Sequence, residues 1–140
     1  MATSSNGYVV AFDFGLRHIG VAVGQTITRT ARGVATLNAH QGKPDWRALQ
    51  ALLDEYSPIL AVVGLPLNMD DTRSEMAEAA SRFAQQITKR CGLETQMHDE
   101  RLSTRDARRS FADAKAMGIA ASEHELAACL ILESWFASTP

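Results

Sequence analysis

A nearly continuous apolar run near the start of the chain constrains the fold more than any other feature. Residues 8–15 read Tyr-Val-Val-Ala-Phe-Asp-Phe-Gly, with Asp13 as their one charged side chain. A strand that is apolar at successive positions is typical of a sheet that is covered on both faces. We therefore predict a central strand at residues 8–15, with Asp13 near its end.

The other apolar patterns complete an α/β sheet. Four further strands are predicted at residues 19–24, 29–37, 59–64 and 94–98. Helical patterns follow four N-terminal signals: Pro44 as a first helical residue, the capping boxes of Thr72 with Glu75 and of Ser122 with Glu125, and Ser103 with Asp106. The resulting order, βββαβαβαα, predicts a five-stranded mixed sheet with helices on both faces.

Length and charge narrow the class of protein. The 140 residues suffice for one domain, which we place at residues 8–138 after a disordered lead-in at residues 1–7. Fourteen Lys and Arg against sixteen Asp and Glu give a net charge of −2, so contact with nucleic acid must depend on a local patch.

The cysteines and the apolar stretches exclude further classes. Cys91 and Cys129 form no CxxC pair, which argues against a zinc ribbon or a disulfide scaffold. No apolar stretch approaches the ~18 residues of a membrane span, and the N-terminus lacks the pattern of a signal peptide. We expect a cytoplasmic protein without a membrane partner.

Asp13 is the residue most indicative of function. An ionised carboxylate in a central strand costs free energy unless a cation or hydrogen-bond donors satisfy it. One interpretation is a metal-binding or catalytic role. The other is an aspartate at a strand end that hydrogen-bonds the turn at residues 16–18.

A second acidic motif follows the fifth predicted strand, and the ends of strands are where α/β sheets bind ligands. Residues 98–101 read His-Asp-Glu-Arg. Because successive strand residues face opposite sides, Asp99 and Glu100 cannot both face Asp13 without a bulge, and the period alone does not decide between them. A solvated turn is the alternative.

Two further groups of residues could hold a phosphate backbone. Asn68 lies in the loop at residues 64–68, and Arg73 follows it; an ordinary strand-to-helix connection is the alternative. The second group has the spacing of one helical face and consists of Arg101, Arg105, Arg108 and Arg109. Such a face could bind a phosphate backbone, and an ordinary solvated helix face is the alternative.

The last predicted helix begins Ser-Glu-His-Glu at residues 122–125. Glu125 is the acidic half of the capping box, and His124 is then an ordinary exposed histidine. Alternatively, either side chain completes a metal site.

Four segments, in the same order, resemble the YqgF/RuvX family. They are Ala-Phe-Asp-Phe-Gly at residues 11–15, Val-Gly-Leu-Pro-Leu-Asn-Met-Asp at 63–70, His-Asp-Glu-Arg-Leu-Ser-Thr at 98–104 and Ala-Ala-Cys-Leu-Ile-Leu-Glu at 127–133. The resemblance runs from Tyr8 to Phe136 and implies a ribonuclease H-like fold similar to that of RuvC resolvases. It implies a nuclease that processes the 5′ end of precursor 16S ribosomal RNA or, by an older description, a Holliday junction resolvase.

The chemistry that the resemblance implies is phosphodiester hydrolysis with two divalent ions, Mg²⁺ or Mn²⁺. Asp13 would bridge both ions and Glu100 would bind one, which makes these two the implied catalytic residues. The loop at residues 64–68 and the arginines at 101–109 would hold precursor 16S rRNA or structured DNA.

The chain departs from the family pattern at the third acid. Relatives carry an aspartate where this chain has His124, which adds no negative charge and suits Mn²⁺ or Zn²⁺ better than Mg²⁺. Either His124 is a ligand, or Glu125 or Glu123 replaces the acid, or the site is weakened. Asp71 also stands where the loop often has glycine.

Three functions remain open, and the precursor-rRNA nuclease leads. A junction resolvase would need a symmetric dimer, and the sequence leaves monomer or homodimer undecided. An RNA-binding ribosome-assembly factor without turnover is suggested by His124. An actin-like kinase or ATPase is disfavoured because 140 residues hold no second domain to enclose a nucleotide.

Overall fold

The computed structural model describes residues 7–65, 75–99 and 111–139, which form a sheet between helices. The strands are β1 (Tyr8–Asp13), β2 (His18–Gln25), β3 (Ala31–His40), β4 (Lys43–Pro44), β5 (Leu60–Leu65) and β6 (Thr95–Asp99). The helices are α1 (Trp46–Tyr56), α2 (Glu75–Cys91), α3 (Phe111–Ala116) and α4 (Glu123–Ser138). The strand order is β4-β3-β2-β1-β5-β6. Strands β1, β5 and β6 run parallel, and the other pairs are antiparallel.

Strand β1 lies inside the sheet and is covered on both faces, as its sequence predicts. Val10 and Phe12 belong to the core beneath α1 and α2. Val9 and Ala11 face α4. All four are at most 2% exposed, so the alternating side chains of one strand supply two separate cores.

Helices cover both faces of the sheet, which confirms the predicted mixed α/β architecture. On one face, α1 and α2 bury apolar side chains that include Leu49, Leu53, Phe83 and Ile87. On the other face, α4 packs Ile131, Leu132 and Phe136 against β1 and β5. Burial of each such side chain contributes about 1.5–3 kcal/mol, so α4 is held to its face mainly by apolar contact.

A bulge in β3 changes which of its residues face α4. Val21 pairs with Ala35, whereas the next residue, Ala22, pairs with Gly33, so Val34 is an extra residue. Gly33 donates its backbone N–H to the Ile119 carbonyl at 2.6 Å, just before α4. The bulge therefore joins β3 to the segment that leads into α4.

The structure corrects two expectations for the region between β3 and α1. The described sheet has six strands rather than five, because β4 pairs with the end of β3 across a turn at Gln41 and Gly42, both with positive φ. Pro44 lies in β4 and does not open a helix. Asp45 is the N-cap of α1, and its carboxylate accepts from two backbone N–H groups. An aspartate side chain at the N-cap accepts hydrogen bonds from the first backbone N–H groups of the helix, and proline has no side-chain acceptor for them.

Some predicted features lie outside the described residues. They are the capping box at residues 72–75 and the start of the third helix at Ser103 and Asp106. The predicted helix ends at Gly92 and Gly118 are confirmed, with φ of 68° and 73°. None of the described helices combines the length and apolarity that a bilayer crossing requires.

We predict that Gly20→Ala lowers the free energy of unfolding by about 1–3 kcal/mol, because overpacking against a rigid neighbour forces the backbone to move. An added Cβ would collide with the His124 carbonyl oxygen. Chemical denaturation measures the change. Gly92→Ala is the control, since its Cβ would meet nothing and only the left-handed backbone of Gly92 costs free energy. Equal losses in both variants would contradict the close packing.

Candidate active site

The candidate site lies where β1 ends, at the carboxyl edge of the parallel strands. Asp13 is the last residue of β1 and pairs directly with Gly20 of β2. Directly paired residues of antiparallel strands point to the same face. Since Val9 and Ala11 face α4, Asp13 shares that face.

The first turn of α4 rests on the sheet beside Asp13. The His124 carbonyl oxygen lies so close to Gly20 that no side chain fits between them. The N-cap Ser122 hydrogen-bonds Thr36 of β3 through the two hydroxyl oxygens, 2.8 Å apart. Because Thr36 pairs with Gly20, Asp13, Gly20 and Thr36 form one row across three strands, and the start of α4 lies over it.

Burial changes the acidity of Asp13. Removal of the carboxyl group from water raises its pKa from 3.8 to about 6. In the described part of the chain, no hydrogen bond or ion pair compensates this carboxylate, and none reaches it from the turn at residues 16–18. The described contacts therefore give no support to a role of Asp13 in ordering that turn, and the cation-binding role stays a prediction.

Glu125 takes part in the start of α4. Its backbone N–H donates to the Ser122 hydroxyl at 3.0 Å, and its Oε1 accepts from the Ala121 N–H at 2.8 Å. The side chain lies over Gly33, where an added Cβ would be 2.7 Å from Oε1. Gly33 is on β3, two strands or roughly 10 Å from β1. The structure confirms the predicted cap and places this carboxylate away from Asp13.

His124 is exposed and its ring stacks on that of His18, with centroids 4.8 Å apart and planes at 24°. His18 begins β2, two residues before Gly20, and so shares the α4 face. From the sequence, His18 is predicted only as part of a turn. Its spacing from Gly20 is the signal that could have assigned it to the site.

The pairing of β6 determines the face of the sheet to which Asp99, in the second acidic motif, points. His98 hydrogen-bonds Ser134 of α4 at 2.8 Å, whereas Met97 packs into the core beneath α2. Asp99 lies two residues after Met97 in the same strand, so it faces the same side as Met97 and points away from the face of Asp13. Burial lowers the pKa of His98, although the neighbouring Asp99 acts in the opposite direction.

Most of the other predicted site residues fall outside the described part of the chain. These are Glu100, Asn68, Arg73, Arg101, Arg105, Arg108 and Arg109. Strands β5 and β6 end at Leu65 and Asp99, which pair with each other at the edge where β1 ends. Residues 66–74 and 100–110 therefore follow strands that end beside Asp13.

The residues at the site suit a hard cation only in part. The partly buried Asp13 carboxylate is an oxygen ligand of the kind that Mg²⁺ and Mn²⁺ prefer. Within residues 7–65, 75–99 and 111–139, no three His, Cys, Asp or Glu side chains form a metal-binding group. Asp13 fits a cation, and a complete site needs ligands from outside those ranges.

Comparison with known proteins places the chain in a well-defined group. The family model described as "RuvX: Holliday junction resolvase" matches residues 7–138. Two curated relatives, from Serratia proteamaculans and Pectobacterium atrosepticum, are 44% and 46% identical over 94% of this chain and 96% of theirs. Both carry the name "Putative pre-16S rRNA nuclease".

Solved structures with little sequence identity share the fold. Thermus thermophilus RuvC in complex with a Holliday junction substrate has a TM-score of 0.63 at 12% identity and covers 94% of both chains. A second solved structure, described as the Thermus thermophilus RuvC structure, has a TM-score of 0.58 at 14% identity, and the match covers 94% of this chain and 95% of that chain. The predicted ribonuclease H-like fold is confirmed by these neighbours.

The raised pKa of Asp13 predicts a pH-dependent gain in stability for Asp13→Asn. Well below pH 3.8 the carboxyl group is protonated in both the folded and the unfolded chain and has no effect. Between pH 3.8 and about 6 the unfolded chain releases this proton while the folded chain keeps it, so the loss of stability grows across this window and levels off at about 3 kcal/mol by pH 7.5. Urea denaturation in EDTA measures this difference, and a variant that is equally stabilised at pH 4 and pH 7.5 would contradict it.

The cap at α4 predicts different effects for two Glu125 variants. Glu125→Ala loses the acceptor for the Ala121 N–H and should reduce the free energy of unfolding by about 1–2 kcal/mol. Glu125→Gln keeps an acceptor and should reduce it by less than about 0.5 kcal/mol. Thermal and urea denaturation compare the two. Loss of Mn²⁺ binding in Glu125→Gln would show that the carboxylate serves a metal instead.

Proposed function

This chain belongs to the RuvX family, and from that membership and the position of Asp13 we propose that it is a divalent-metal-dependent nuclease that hydrolyses precursor 16S rRNA. Processing of the 5′ end of that RNA and a cytoplasmic location are part of the proposal. The observation that carries it is the partly buried Asp13 carboxylate, whose pKa is raised by its removal from water. The charge of this carboxylate has no compensating partner among the described residues. It lies at the carboxyl ends of the strands, where α/β sheets bind ligands.

We propose Asp13 and Glu100 as the catalytic ligands of Mg²⁺ or Mn²⁺. His98 faces α4 and Glu100 is the second residue after it, so the alternation of β6 favours Glu100 over Asp99 as the partner of Asp13. Two bound divalent ions would supply an activated water and stabilisation of the leaving oxygen.

His124 is proposed as the third ligand in preference to Glu125. The first turn of α4 lies over Gly20, the direct neighbour of Asp13, and His124 is exposed there. Glu125 is held over β3 by the Ala121 N–H. Because imidazole suits Mn²⁺ better than Mg²⁺, we expect higher activity with Mn²⁺.

The nucleic acid is proposed to lie across the strand edge. Asn68 and Arg73 follow β5 in the sequence, and Arg101, Arg105, Arg108 and Arg109 follow β6. Guanidinium groups bind phosphate oxygens in two-point contacts. These six side chains would therefore position the backbone of the substrate, whereas base selection would need other contacts.

A cleavage assay tests the proposal. The substrates are a single-stranded precursor-rRNA 5′ leader and a four-way DNA junction, each in Mg²⁺, Mn²⁺ and EDTA. We expect metal-dependent cleavage of the RNA and a loss of at least about a hundredfold in Asp13→Asn. Asp54→Asn, an exposed aspartate on α1, is the matched control and should cleave normally.

The other outcomes separate the two remaining candidates. Cleavage of the junction alone, by a dimer, would favour the resolvase that the family description names. RNA binding that persists in EDTA and in Asp13→Asn, without cleavage in any metal, would favour a ribosome-assembly factor. Undiminished cleavage by Asp13→Asn would overturn the proposed active site.

A further inference from the structure

A cavity of about 430 Å³ opens on the face of the sheet that is opposite α4. It lies between the β3–β4 turn, α1 and α2, so the sheet separates it from the α4 face of Asp13. Its volume is within the range of small-molecule sites. It adjoins the candidate active site along the chain, because Phe14, which lines the cavity, directly follows Asp13.

Three aromatic rings form the floor of this cavity. Phe83 is the middle ring, with its centroid 5.3 Å from that of Phe14 and 6.1 Å from that of Trp46. Phe14 and Phe83 are almost fully buried, and Trp46 is half-buried. Gly42 packs on Phe14 at the turn, where a Cβ would lie 2.8 Å from the ring. The floor is therefore rigid, aromatic and partly open to solvent at Trp46.

Cationic side chains line the rim. The Arg90 guanidinium lies 4.6 Å from the centroid of the Trp46 ring, and its Nε donates to Gln86 Oε1 at 3.1 Å. Lys43 and Arg82 also line the cavity, and neither side chain has a hydrogen-bond or ion-pair partner among the described residues. The described lining includes three cations and no carboxylate, although the whole chain carries a net charge of −2.

We propose that this cavity binds a nucleotide, with the base against Trp46 and Arg90 and the phosphate at Lys43 and Arg82. Bases stack on aromatic rings and on guanidinium planes without regard to sequence. Unpartnered cations attract the adjoining phosphate. The nucleotide comes either from a single-stranded RNA or from the free pool. This site is distinct from the proposed nuclease centre and needs no catalysis.

The two tryptophans of the chain allow a direct test by NMR in EDTA, where metal-dependent cleavage cannot interfere. Trp46 lines the cavity, whereas Trp135 lies on α4 at the other face and donates its indole N–H to Gln96. Trp135→Phe assigns the two indole signals. Adenosine 5′-monophosphate, a short single-stranded oligoadenylate and inorganic phosphate are titrated separately.

We expect the oligoadenylate or the mononucleotide to shift the Trp46 indole signal and leave that of Trp135 unchanged. Arg82→Gln combined with Lys43→Gln should weaken this binding about tenfold, the effect of a lost charge-assisted contact. Lys89→Gln, an exposed cation on the same helix that does not line the cavity, should bind as the parent chain does. A response to the oligonucleotide alone would identify a strand-binding site, and a response to the mononucleotide alone a site for free nucleotides.

Several results would overturn the proposal. They are an unchanged Trp46 signal with both nucleotide probes, equal weakening by the Lys89 control, or a shift produced by oligoglutamate but not by nucleotides, which would indicate an acidic protein segment. None of these bears on Asp13. If RNA is cleaved but Trp46 does not respond, this inference fails alone; if Trp46 responds but no RNA is cleaved, the nuclease proposal fails alone.

Discussion

The close approach of α4 to the sheet is the contact on which the candidate site depends. Side chains normally separate a helix from a strand, but Gly20 and Gly33 leave room for the backbone at His124 and the stem of Glu125. The hydrogen bond between Ser122 and Thr36 then fixes the helix start along the strands. With larger residues at these two positions, the start of α4 would lift away and Asp13 would face solvent. Glycine at positions without strained φ therefore serves proximity here rather than a turn.

At the proposed active site, the Asp13 carboxylate lowers the stability of the fold but would favour the binding of a cation. A neutral residue at the end of β1 would fold more favourably at neutral pH, since burial raises the pKa of the carboxyl group to about 6. A cation would reverse that penalty, because it favours the charged form. The free energy that folding loses at Asp13 is thus available to ligand binding.

The sequence predicted most of the fold because the apolar patterns of β1, β2 and β5 admit one interpretation. It failed at Pro44, where two neighbouring signals competed and the Asp45 cap prevailed. The site was predicted less completely. Asp13 stood out as a charge inside an apolar run, whereas the two-residue spacing of His18 from Gly20 gains meaning only once the pairing of β2 beneath α4 is known. The choice between Asp99 and Glu100 likewise depended on which face of β6 meets α4, a tertiary property that no period encodes.

The bulge in β3 makes the length of that strand as informative as its composition. On the β4 side of Val34, even-numbered Thr36 faces α4, and on the other side odd-numbered Gly33 and Ala31 do. Loss of Val34 would restore a regular period and leave Gly33 and Ala31 on the α4 face, whereas loss of Arg32 would turn Ala31 away from it. Descendants of this gene should therefore tolerate substitution or deletion at Val34 better than deletion elsewhere in β3. In an alignment, a gap of one residue within this strand would fall at Val34.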